Sequence, residues 1–172
     1  MEGKSIPFVT FKMRVRDDSI EGDNPFRWED VNSETLFKDK TVILFSLPGA
    51  FTPTCSTYQL PDFEKMFSQF QEKGIDEIYC MSVNDAFVMN AWAKNQNLQN
   101  VKVIPDGNGE FTKKIDMLVE KNNLGFGKRS WRYAALVKDM TIMKWFEEAG
   151  KENNCEDDPY EVTSPQNVFE KI

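Results

Sequence analysis

The 172-residue chain has no histidine. That absence excludes cysteine hydrolases that rely on a histidine base, and zinc sites of mixed Cys/His type. Cysteine is scarce too. Cys55, Cys80 and Cys155 are the full set, too few for a disulfide scaffold and too widely spaced for a zinc knuckle. Basic residues are outnumbered, with 21 Lys and Arg against 28 Asp and Glu for a net charge of −7, and they form no cluster. Such a chain is a poor partner for nucleic acid or for an anionic membrane. No run approaches the roughly 18 apolar residues of a membrane span, and the opening "MEGKSIPFVTF" lacks the apolar core of a signal peptide. A soluble, cytoplasmic protein is the expectation. What the chain does have is bulk for a core, 14 Phe and 4 Trp in 40% hydrophobic residues. With no repeat and no low-complexity linker, a single domain over residues 1–172 is expected.

Hydrophobic periodicity orders the chain. "PFVTFKMRVRD" alternates like a half-buried strand, and "DSIEGDNPFRWEDVNS" reads as a polar excursion after it. "TVILFSLPG" is a continuous apolar run and predicts a central strand buried on both faces. Leu60, Phe63, Met66, Phe67 and Phe70 recur at helical spacing, with Gly74 as a stop and Pro61 expected to kink the first turns. "DEIYCMSVND" predicts a second buried strand, and Asp85 a helix cap ahead of Phe87, Val88, Ala91 and Trp92. "VKVIPDGNG" then predicts a strand, "EFTKKIDMLV" an amphipathic segment, "SWRYAALVKDMTIMKWFEE" two strands about a short turn, and "SPQNVFEKI" a last helix. The order implies an α/β protein: a central mixed sheet flanked by helices, of thioredoxin-like arrangement, with an N-terminal β extension.

The chemistry concentrates in "PGAFTPTCS", residues 48–56, directly behind the first buried strand. Cys55 falls in or just before the first turn of a helix, and Pro53 suits a position whose N–H has no intrahelical acceptor. Unpaired N–H groups and the positive helix end favour a thiolate, which predicts a thiol pKa below the free value of about 8.5. Thr52 can place its hydroxyl beside the sulfur and donate to an approaching oxygen. The backbone N–H groups of Thr54 and Cys55 can cradle a small anionic or peroxidic group, and Pro48 can shield the sulfur from water. A buried structural cysteine in a threonine-bearing turn is the competing reading.

The block "SLPGAFTPTCS", with Pro48, Thr52 and Cys55 at P-x-x-x-T-x-x-C spacing, resembles the active-site loop of the peroxiredoxins. "FVMNAWA", "VIPDGNGEFT", "GFGKRSWRYA" and "DDPYEV" follow in the order of the Prx5, or type II, subfamily, so the likeness covers nearly the whole chain. The resemblance implies a thioredoxin-like fold and a thiol-dependent peroxidase acting on hydrogen peroxide and organic hydroperoxides, without metal or organic cofactor. It implies that Cys55 is the peroxidatic cysteine, Thr52 the peroxide-binding threonine, Pro48 the shielding proline and Arg132 the site arginine. The strand pattern agrees for Arg132, which shares a face with Ala134 and Leu136; an inward cation there needs an anion, whereas an arginine at a strand end could equally reach solvent. Arg129 lies outside the apolar run and reads as a surface residue.

The resemblance leaves three ways to reduce the Cys55 sulfenic acid. An external thiol (glutathione with glutaredoxin, or thioredoxin) is favoured over Cys155, which lies among Glu156, Asp157 and Asp158, and over Cys80, expected to sit buried in mid-strand. A homodimer is expected from the family and from Phe51, Phe87 and Phe126, placed in loops or at helix starts. Two rivals share the fold. A thiol-disulfide oxidoreductase would need C-x-x-C where this chain has "CSTY", and a non-enzymatic thioredoxin-like holdase or interaction domain would make no use of Cys55.

Overall fold

A computed structural model describes all residues, 1–172. Strand β3 (Thr41–Ser46) lies at its centre because "TVILFS" can be buried on both sides. Val42 and Leu44 enter one core, with Phe11, Phe37, Phe111 and Trp131. Ile43 and Phe45 enter the other, with Phe63, Phe70, Met89 and Trp92. This two-residue alternation places a separate apolar layer on each face of the sheet.

β3 pairs in parallel with β4 (Glu77–Ser82), which pairs in parallel with β5 (Lys102–Pro105). On its other side β3 pairs antiparallel with β8 (Tyr133–Lys138), and β8 with β9 (Thr141–Glu147). The order β5-β4-β3-β8-β9 is the expected mixed sheet. Helix α2 (Leu60–Glu72) buries Leu60, Phe63, Phe67 and Phe70 and ends at Gly74, whose φ of 88° is left-handed. Helix α3 (Ala86–Asn95) is capped by the Asp85 carboxylate, which accepts from the Val88 N–H at 2.9 Å, and α5 (Pro165–Lys171) by Ser164.

Three segments depart from the sequence reading. The polar excursion contains β2 (Phe26–Asn32), which pairs in antiparallel fashion with β1 (Thr10–Arg16) as a separate hairpin, and α1 (Ser33–Phe37) follows it. β2 lacks apolar alternation; its partner strand holds it, through a full ladder and a Lys12–Asp30 ion pair across it. The amphipathic segment after β5 divides into a short helix α4 (Glu110–Lys114) and a strand β6 (Leu118–Glu120), which pairs with β7 (Lys128–Ser130). Pro61 does not interrupt α2. A wide turn over Cys55–Gln59, closed by the Leu60 N–H donating to the Cys55 carbonyl, precedes it and absorbs the ring.

Groups buried in the cores, Cys80 and Tyr133 among them, make stability sensitive to alkali. Burial, with Cys55 nearby, pushes the Cys80 thiol pKa up, and burial with the Asp106 carboxylate does the same to Tyr133. The Tyr133 hydroxyl has no hydrogen-bond partner. Both groups stay protonated in the fold after the unfolded chain has begun to ionise. Their contribution is therefore complete below the unfolded values, about 8.5 for cysteine and about 10 for tyrosine, and is lost as pH rises beyond them. Each should add a downward slope of about 1.4 kcal/mol per pH unit. Urea unfolding of Tyr133→Phe should show a shallower decline above about pH 10; an unchanged slope would refute the assignment.

Candidate active site

β3 ends at Ser46, and the next six residues form a tight loop at the carboxyl ends of the parallel strands, the usual place for a site in such a sheet. The loop is built under constraint. Phe51 holds a φ of 64°, uncommon for a bulky residue. The Ala50 N–H donates to the Asn84 side-chain oxygen at 3.0 Å, and the Ser82 hydroxyl donates to the same oxygen at 2.6 Å. The chain thus reaches Cys55 with the turn tied to the end of β4.

Helical backbone begins at Pro53, and Cys55 opens the wide turn that leads into α2. The N–H groups of Thr54 and Cys55 have no backbone acceptor, as a helix start requires. Cys55 is fully buried, in the same core layer as Phe45 and Trp92. The Trp92 indole N–H donates to the Ser56 hydroxyl at 3.0 Å and pins the turn. The Thr52 hydroxyl donates to the Gly49 carbonyl at 2.7 Å. Its proton is therefore engaged within the loop, and its lone pairs are what it offers an incoming O–H; the sequence reading had it donating.

Arg132 immediately precedes β8, and its side chain is only 1% exposed. One of its terminal nitrogens, Nη1, lies 3.5 Å from Cys55 Sγ and also donates to Gln59 Oε1. Nε donates to the Pro159 carbonyl at 3.0 Å, and Nη2 pairs with the Asp158 carboxylate. Burial works to lower the guanidinium pKa, but the Cys55 sulfur and Asp158 outweigh it and the net shift is upward. Gln59 is itself buried, with its amide reaching Thr163 Oγ1 at 3.4 Å. Glu148 accepts from the N–H groups of Glu161 and Thr163 and from the Thr163 hydroxyl, at 2.8, 2.9 and 2.8 Å, which fixes the C-terminal segment over the site. A cavity of about 330 Å³, lined by Pro48, Thr52, Thr54, Lys121, Phe126 and Asp158 among others, opens beside the loop. A buried sulfur, a guanidinium aimed at it, free N–H groups and an adjoining cavity suit a nucleophilic reaction on a small oxygen compound.

The Redoxin family model matches residues 4–161. The chain is similar to a peroxiredoxin of Rhizobium etli, 63% identical over 166 residues, which are 96% of this chain and 93% of that one. It belongs to the Redoxin family, as a peroxiredoxin. Solved structures agree. The Plasmodium falciparum antioxidant protein, described as a 1-Cys peroxiredoxin, superposes with a TM-score of 0.91 at 37% identity, covering 99% of this chain and 98% of its own. Reduced Prx3 of Vibrio vulnificus in complex with hydrogen peroxide gives 0.84 at 31%, covering 100% and 99%. The thioredoxin-like fold and the thiol-dependent peroxidase activity implied by the sequence are those of this peroxiredoxin.

The structure brings Pro48, Thr52, Thr54, Cys55 and Arg132 of this peroxiredoxin together, and it corrects the place of Arg129. That side chain is not on the surface. It is half-buried, donates to the carbonyls of Pro48 and Phe126, both at 3.2 Å, and lies 5.2 Å from the Phe126 ring centre. Gly49 makes room for it, since a Cβ there would come within 2.4 Å of Arg129 Nη1. Burial pulls the Arg129 pKa down while Cys55 opposes that shift, so the sulfur lies in the field of two guanidinium groups. Gln59, Asn84 and Glu148 escaped sequence reasoning. Only the helical phase of Gln59, one turn after Cys55, carried a signal. Cys155 lies in the core on the opposite face of the sheet from Cys55, its carbonyl accepting from Lys121 Nζ at 3.3 Å. Cys80 is buried in β4 opposite Phe45, on the Cys55 face, with its thiol pKa pushed well up by burial.

Proposed function

We propose that Cys55 is the peroxidatic nucleophile of this peroxiredoxin, with Thr52, Arg132 and the N–H groups of Thr54 and Cys55 holding the peroxide and Pro48 screening the sulfur. The observation that carries the reading is the 3.5 Å approach of the buried Arg132 guanidinium to Cys55 Sγ. The Cys55 thiolate attacks the terminal oxygen of the hydroperoxide in line. An S–O bond forms, the O–O bond breaks, and the departing alkoxide or hydroxide takes a proton from water. The donors lie where charge accumulates on the two oxygens, which is where they lower the barrier most. The product is a sulfenic acid on Cys55.

An external thiol, glutathione with glutaredoxin or thioredoxin, resolves that acid. One thiol displaces water to form a mixed disulfide, and a second releases the Cys55 thiolate. Supporting this, Cys80 is immobilised in a buried strand and Cys155 lies beyond the sheet. The double variant Cys80→Ser, Cys155→Ser should keep more than about half of the turnover with glutathione and glutaredoxin, and peroxide alone should leave Cys55 trappable by a dimedone-type reagent. A Cys55 disulfide to either cysteine in peptide maps, lost together with turnover in one single variant, would overturn external resolution. A homodimer is part of the same proposal. Phe51 in the loop is 53% exposed, Phe87 at the start of α3 is 58% exposed, and Phe126 is half-buried at the cavity. Sedimentation equilibrium finding only monomer at micromolar concentrations would refute it.

A further inference from the structure

We infer that Asp158 is a positioning residue for the peroxidase reaction, acting through Arg132; the inference rests on the role proposed for Arg132 above. Arg132 must aim Nη1 at Cys55, and Gln59, which accepts from Nη1, holds that one corner of the group. A guanidinium is a rigid plane, so fixing the edge that carries Nε and Nη2 fixes where Nη1 points. That edge is held by two consecutive residues, Nε by the Pro159 carbonyl at 3.0 Å and Nη2 by the Asp158 carboxylate. Nη2 has no other protein partner, so without the carboxylate that corner of the fork is unheld. The Tyr160 ring, 5.7 Å from the guanidinium carbon, limits movement in one direction only.

The backbone that presents Asp158 is secured independently of its side chain. The Glu148 carboxylate holds Glu161 and Thr163, and Gln59 reaches Thr163 as well. Truncating Asp158 therefore releases the arginine without releasing the segment. The neighbouring acids Glu156 and Asp157 make no hydrogen bond or ion pair with a side chain and offer no substitute. The Asp158 side chain is 43% exposed, so water can replace part of what its carboxylate gives the buried guanidinium, and the effect of truncating it is local.

The test follows Cys55 oxidation in rapid mixing with hydrogen peroxide, using the fluorescence of Trp92, whose indole bonds Ser56 next to Cys55. Asp158→Ala should lower the second-order rate constant about tenfold, the scale of one charge-assisted hydrogen bond at a partly exposed site. Asp158→Asn keeps an acceptor oxygen and should retain at least about half of the rate. In an Arg132→Lys background, Asp158→Ala should have less than about a twofold further effect, because the fork it orients is gone. Thermal midpoints should confirm that each variant folds. A rate within twofold of wild type for Asp158→Ala, an Asn variant as slow as the Ala variant, or equal losses in both backgrounds would each overturn the inference. A slow Arg132→Lys beside a normal Asp158→Ala sinks this inference alone. A fully active Arg132→Lys sinks the role of Arg132 and the inference with it.

Discussion

Cys55→Ser should lose peroxide consumption by at least about 10³-fold, because the proposed mechanism needs a thiolate nucleophile and a serine hydroxyl does not ionise near neutral pH. The buried site has no base to compensate. Histidine is missing from the chain, and the groups around the sulfur are two arginines, an amide and backbone N–H donors. All of them stabilise negative charge and none can take a proton. A loss of that size corresponds to about 4 kcal/mol of transition-state stabilisation. The substitution changes one buried atom for a slightly smaller one, so folding should survive and the loss should be chemical. Peroxide disappearance with purified protein and dithiothreitol gives the measurement. Residual activity above a few per cent would move the chemistry to another thiol.

Arg132→Lys should slow the reaction with hydrogen peroxide by roughly 10²-fold, the usual cost of losing one donor aimed at developing charge. The substitution keeps the positive charge, so it isolates geometry. A guanidinium serves Cys55, Gln59, Asp158 and Pro159 at once from one planar group. An ammonium is a compact point charge with three donors and cannot span four partners in those directions. The loss should appear in kcat/KM for peroxide, and the mixed-disulfide steps should change little because they do not require two oxygens to be held. Circular dichroism and a thermal midpoint separate this from misfolding, which is a real risk in a network buried to this depth. A rate constant within twofold of wild type would remove Arg132 from the reaction and leave Arg129 as the site cation.

The gap between sequence and structure follows a physical line. β3, β4 and β8 were legible because strands buried on both faces are continuous apolar runs. Helices α2 and α3 were legible from their spacing and caps. β2 was not, since "FRWEDVN" owes its conformation to β1 and has no apolar period of its own. The sequence did not specify the form that the irregularity before Pro61 takes, a wide turn over Cys55–Gln59, which no local propensity encodes. Asp158 shows the same limit at the site. In the sequence it is one of three acids beside Cys155; in the fold it pairs with Arg132, 26 residues earlier in the chain.

The sequence by itself determined which cysteine follows the first buried strand, the loop around it and the exclusion of histidine-dependent cysteine chemistry and mixed Cys/His zinc sites, because residue type and short spacing control those. It also determined a central mixed sheet covered on both faces, because burial on both faces of β3 demands helices on each side; the order of its strands came from the fold. Only the tertiary structure decided which arginine meets the sulfur and what aims it. It brought Arg129 from an expected surface position against the Pro48 carbonyl, gave Gln59 a role, and separated Cys155 from Cys55 by the width of the sheet. Those outcomes depend on long side chains meeting across elements far apart in the chain. The direction of a guanidinium is set by the partners that satisfy its buried donors, and those partners exist only once the chain has folded.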